Sequence, residues 1–148
     1  MRTRYATALA FALALSSPLA VRAQATPIGV WHTISDTDGK PRGIIEITEV
    51  NGEFIGTVKG TLVEGEKPGK VCDKCTDDRK GQPLMGMQIL RGLKVDGDEW
   101  TGGRILDPDN GKVYKAKVKL IEGGKKLVLR GYVGFSLLGR SQTWVRAE

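Results

Sequence analysis

From Gly29 onward, apolar residues come in short runs that alternate with polar ones and break at turn residues at fairly even spacing. That pattern predicts strands packed into a barrel or sandwich, and no stretch shows the repeat of an amphipathic helix. Lys112 to Ile121 is the cleanest case. Tyr114, Ala116, Val118 and Leu120 share one face, and Lys115, Lys117 and Lys119 the other. Phe54, Gly56, Val58, Gly60 and Leu62 likewise face away from Thr57, Lys59 and Thr61. Further runs are Gly29 to Ile34, Ile44 to Val50, Gln88 to Val95, Glu99 to Leu106 and Lys126 to Val133, with a last one ending at Arg146. Asn51-Gly52 is a hairpin signal, because both residues tolerate the positive φ of a type I′ turn. Val63 to Gln82 interrupts the rhythm as a long, charged loop of the kind that is functional or tied down.

Eight strands joined by tight turns predict an all-β fold, a small eight-stranded up-and-down barrel, with a sandwich as the alternative. The last strand needs a partner, since an unpaired edge exposes backbone donors and acceptors. Its natural partner is the first, Gly29 to Ile34. The apolar corner Gly134 to Gly139 is expected to plug the barrel base, because contiguous exposed apolar patches are rare on monomers.

The start of the chain changes the picture of where this barrel works. Arg2 and Arg4 precede an apolar run from Ala6 to Leu15, and Ala23 and Ala25 offer small-residue cleavage sites, the layout of a signal peptide. The apolar run breaks at Ser16-Ser17-Pro18, short of the roughly 20 residues a membrane span needs. Residues 1–25 are therefore expected to leave, with cleavage near 23–25, and residues 26–148 to form one barrel domain without a transmembrane segment. The formal charge of the 148-residue chain is +6; losing Arg2, Arg4 and Arg22 with no acid reduces it to +3. That is solubility chemistry, not the footprint of a nucleic-acid binder. The expected location is periplasmic or secreted.

Several blocks together resemble one family of bacterial exported proteins, catalogued as domain of unknown function 2147. They are Gly29-Val30-Trp31-His32-Thr33, Asp36 to Gly39, Cys72 to Cys75, Pro83 to Met87, Gly102 to Tyr114 and Arg130 to Arg146. The resemblance covers essentially the whole chain after the leader. It implies a lipocalin-like barrel and no activity. Lipocalins also carry Gly-x-Trp on the first strand and an Arg on the last that packs over the indole. Gly29 and Trp31 fit the first role. For the second, Arg140, which follows the Gly139 corner, is expected ahead of Arg146 as the barrel-closing residue.

Candidate chemistry is sparse. Cys72-Asp73-Lys74-Cys75 is expected to be a disulfide, as two cysteines in an oxidising compartment usually pair. A redox-active motif would sit at a helix N-terminus, and a structural zinc site would want four ligands. His32, the one histidine, falls on the face opposite Trp31. Asp107-Pro108-Asp109-Asn110-Gly111 lacks the spacing of a calcium loop and predicts a hairpin turn. No catalytic residue, metal site or cofactor is expected. Spacing puts Trp100 and Arg104 on one face, and Arg140, Gln142, Trp144 and Arg146 on another. If these faces and Arg130 and Tyr132 turn inward, Trp100, Arg104, Arg130 and Tyr132 would line a lumen for a small anionic or amphipathic ligand. The functional expectation is thus a non-enzymatic barrel that binds a small molecule or an envelope component. The alternative is a structural or protein-interaction module of the envelope with a filled barrel.

Overall fold

The structure is a computed structural model that describes residues 25–67 and 69–147. The expected leader, apart from Ala25, lies outside the described residues. Eight strands follow one another in chain order: β1 (Gly29–Ile34), β2 (Pro41–Val50), β3 (Glu53–Thr61), β4 (Gln88–Asp96), β5 (Glu99–Asp107), β6 (Lys112–Ile121), β7 (Lys126–Tyr132) and β8 (Gly139–Arg146). Each pairs antiparallel with the next, and β8 pairs back onto β1, so the sheet is a closed barrel without an edge. The sandwich alternative is excluded. Turn chemistry agrees with local sequence at the β2–β3 hairpin, where Asn51 and Gly52 have φ of 51° and 79°.

Up-and-down topology gives the barrel two distinct ends. The β2–β3, β4–β5 and β6–β7 turns, the start of β1 and the end of β8 gather at the lower end, while the β1–β2, β3–β4, β5–β6 and β7–β8 connections gather at the upper end. The lower half is packed solid. Trp31, Ile47, Phe54, Leu93, Trp100, Val118 and Leu127 are all buried there, with Phe54 and Trp100 meeting edge to face at 6.0 Å. Burying one such side chain contributes about 1.5–3 kcal/mol.

Arg146, not Arg140, closes this end. Its guanidinium carbon lies 4.2 Å from the Trp31 ring centroid. Its three nitrogens donate to the carbonyls of Gly124, Ile28 and Thr26, each at 2.8 Å. The antiparallel seam explains the correction. Trp31 stands opposite Arg146 in register, so the start of the first strand meets the end of the last. Arg140, at the opposite end of β8, is largely exposed and approaches Asp36 at 3.5 Å. Gly29 completes the arrangement. Its φ is +136°, and a Cβ there would sit 2.6 Å from an Arg146 nitrogen. Trp31 Nε1 donates to the Pro27 carbonyl at 2.8 Å, which ties the incoming chain across the base.

Candidate functional site

Above this packed floor the barrel is hollow. A cavity of about 880 Å³ fills its upper half and opens between the upper connections. That volume lies within the range of small-molecule sites. Its walls come from inward positions of seven strands: Thr33 on β1, Ile45 on β2, Val58 on β3, Ile105 on β5, Tyr114 on β6, Leu129 on β7, and Gln142 and Trp144 on β8. On β1, β2 and β7 alternation requires this placement, because the wall residue sits two positions along its strand from a floor residue. Thr33 follows Trp31, Ile45 precedes Ile47, Leu129 follows Leu127. Small residues widen the space where large ones would close it. Gly131 faces Ile105, where an added Cβ would already touch at 3.5 Å.

Polar groups in the walls are few and already oriented. Trp144 Nε1 donates to the Gln142 side-chain oxygen at 2.7 Å. Asn110 Nδ2 donates to the Tyr114 hydroxyl at 3.3 Å and to Asp107 at 2.9 Å. The rim is charged with both signs. Glu66, Asp107 and Asp109 stand with Lys67, Lys70 and Arg140 around the opening. The Thr61 hydroxyl, and after it Lys70, holds the Glu66 carboxyl below the usual range. Glu66, with Asp109, raises Lys70. An apolar chamber under a mixed polar rim suits a molecule with an apolar body and a polar head.

One side of the rim is the β3–β4 loop, held by its own hydrogen bonds. Cys72 and Cys75 are joined by a disulfide and fully buried. Cys72 N–H donates to the Gln82 carbonyl and Gly81 N–H to the Cys72 carbonyl, both at 2.9 Å. Lys74 Nζ donates to the Asp109 carbonyl at 2.8 Å and links the loop to the β5–β6 turn. Gly111 has no room for a side chain against the Lys74 carbonyl. Arg79, buried, forms a two-nitrogen contact with Asp77 and donates to the Gln88 carbonyl at 2.9 Å. The Arg79 guanidinium beside it lowers the Asp77 carboxyl to about 2.

The four residues that would line a lumen if their faces turned inward do not stand together. Trp100 points inward but belongs to the packed floor. Arg104 points outward, with Arg91 its cross-strand neighbour. The reason is a bulge: from Trp100 to Gly103, β5 spends three steps against two on β6, and Gly102 takes φ +74°. That extra residue reverses the face of everything after it. Arg130 also points outward, next to the cavity-lining Leu129. It donates to the carbonyls of Ser136 and Leu137 and to the Ser141 hydroxyl. Only Tyr132 of the four reaches the mouth. Gln142 and Trp144 share a face in the sequence reading, and alternation also groups Tyr114 with Ala116. Those two faces carry the signal that finds the walls, and the long charged loop Val63 to Gln82 marks one side of the rim. His32 lies beside Trp31 on the opposite face. The β7–β8 corner does not plug the base. It stands at the upper end, exposed.

Among the described residues, no group of three His, Cys, Asp or Glu side chains could hold a metal ion, and no helix is long and apolar enough to cross a membrane. No curated protein matches the chain. A solved structure from the human pathogen Helicobacter pylori, described as belonging to the lipocalin family, is similar to it. It has a TM-score of 0.72 at 22% identity, with 84% of each chain covered. That likeness is one of fold. Residues 29–146 match the family described as an uncharacterized protein conserved in bacteria, domain of unknown function 2147. The match takes in all eight strands, the floor and the cavity walls, and the chain belongs to that family as a lipocalin-like barrel.

Proposed function

We propose that the protein binds one small amphipathic molecule in the upper half of its barrel, without catalysis. The observation that carries this reading is the cavity of about 880 Å³ between apolar walls and a charged rim. Apolar burial supplies the affinity for the ligand's body, and Gln142, Tyr114 and the rim charges orient its head. The filled-barrel alternative describes the lower half alone. The reading extends to location: the Cys72–Cys75 bond supports an exported protein in an oxidising compartment, in line with the leader-like sequence.

Native mass spectrometry of protein isolated from its own cells tests the binding. The expected spectrum carries a small apolar or amphipathic adduct that organic extraction removes and an added fatty acid replaces. A barrel that is empty on isolation and takes up no amphipathic molecule overturns the proposal. N-terminal sequencing of the same material tests export, with a mature terminus near residues 24–26 expected.

A further inference from the structure

The β7–β8 corner exposes four large apolar side chains in one short segment. Val133 is 66% exposed, Phe135 77%, Leu137 89% and Leu138 73%. Exposure on this scale marks a surface that meets something apolar. Three carbonyls of the tip find partners within the protein. The Phe135 carbonyl accepts from the Leu138 N–H at 3.0 Å, and the carbonyls of Ser136 and Leu137 accept from the Arg130 guanidinium.

What lies beneath the tip says which apolar phase it meets. Tyr132 comes next along β7, with Lys115 directly opposite it on β6, and Arg104 opposite Lys115 on β5. Neither Arg104, Lys115 nor Arg130 has a carboxylate within 4.0 Å among the described residues. Glu99 and Asp98, further down the same wall, are engaged by Lys117 and Lys119. The aliphatic and phenyl groups of the tip are therefore backed by one cross-strand row of a tyrosine and two unpaired cations. An apolar tip backed by a tyrosine and cations matches an anionic bilayer interface, where acyl chains lie beneath a level of aromatic rings and headgroup phosphates. A second copy of the chain fits less well, because a two-fold contact through this face would bring the basic wall against itself.

We propose that the β7–β8 corner docks the protein on an anionic lipid bilayer, with Phe135, Leu137 and Leu138 among the acyl chains and Arg104 and Lys115 facing headgroup phosphates. Val133 and Leu138 also border the cavity, so docking sets its mouth against the membrane. The proposal rests on the corner and not on cavity occupancy, and either can fail alone.

The three native tryptophans are buried, so a Phe135→Trp variant of the full chain places one reporter at the tip. Mixed phosphatidylethanolamine–phosphatidylglycerol vesicles with brominated acyl chains should quench that reporter and leave the parent's emission nearly unchanged. Adding Leu137→Ser should lower vesicle partitioning about tenfold or more. Replacing phosphatidylglycerol by phosphatidylcholine should weaken it about tenfold as well. Vesicle binding with the reporter unquenched would assign the affinity to another part of the chain and overturn the proposal. So would no binding at all, or a sedimenting dimer that Leu137→Ser converts to monomer.

Discussion

The two halves of the barrel are walled by the same eight strands, yet they use their inward positions in opposite ways. On β7, Leu127 and Leu129 are the same residue on the same face, two positions apart. Leu127 is surrounded by the tryptophan floor, whereas Leu129 borders open space. The lower half combines Trp31, Phe54, Trp100 and Trp144's neighbour Leu127 in close packing, and a cation seals it from below. The upper half has glycines at Gly60 and Gly131 among the residues around a void. Interiors packed at crystal-like density resist change, while a site that must admit a ligand has to forgo part of that contact energy. The contrast teaches that stability and binding are divided along the barrel axis.

Substitutions in the floor should cost the most. Trp31→Ala removes a fully buried indole, the stacking partner of Arg146 and the hydrogen bond to Pro27. The expected loss is about 3–5 kcal/mol by urea unfolding. That is a large share of the roughly 5–15 kcal/mol that holds a domain. An unchanged midpoint would remove the floor from the account. Arg146→Ala should follow, at about 2–3 kcal/mol, since three carbonyls lose a charged donor. Arg140→Ala should stay within about 0.5 kcal/mol, as its contact is exposed. A double-mutant cycle should couple Trp31 to Arg146 and not to Arg140.

The leucine pair makes the comparison sharper. Leu127→Ala is expected near the upper end of the roughly 2–5 kcal/mol range and Leu129→Ala near or below its lower end, because a wall already facing a void loses fewer contacts. Equal costs at the two positions would mean that the upper half is as tightly packed as the floor.

A smaller effect concerns the rim loop and acid. Asp77 has its carboxyl lowered from 3.8 to about 2 by Arg79. A depressed carboxyl stabilises the folded state fully above its unfolded value, and that stabilisation is lost as pH falls through the folded one. Asp78, lowered by Arg91, and Glu66, lowered by Thr61 and Lys70, act in the same direction. Between pH of about 4 and about 2, the amides of Cys72 and Gly81 should lose protection against hydrogen exchange, corrected for intrinsic rates, before those of β7 do. Simultaneous loss would mean that the loop is no separate unit.

Much of the fold was legible because strand alternation and turn residues are local properties. The Lys112 to Ile121 pattern, Asn51-Gly52 and the pairing of first strand with last all stand in the structure. The end of the barrel to which a residue belongs is not local. Arg140 and Arg146 share a face, and only the antiparallel seam decides that the second reaches Trp31. Arg104 was misplaced by a single inserted residue at Gly102, which alternation cannot register. The corner follows a comparable logic: its apolar composition was plain, but burial depends on which end it caps. The cavity itself is a difference between packed volumes contributed by distant strands, and no run of residues encodes it.

The division between floor and chamber is tested most directly by the tryptophans. Trp144 lines the cavity, while Trp31 and Trp100 lie in the floor. Titration with a nitroxide-labelled fatty acid should quench tryptophan emission saturably at one ligand per chain, and Trp144→Phe should remove most of that quenching while the protein stays folded. Quenching that persists undiminished in Trp144→Phe, or none in the parent protein, would contradict an upper-half binding chamber.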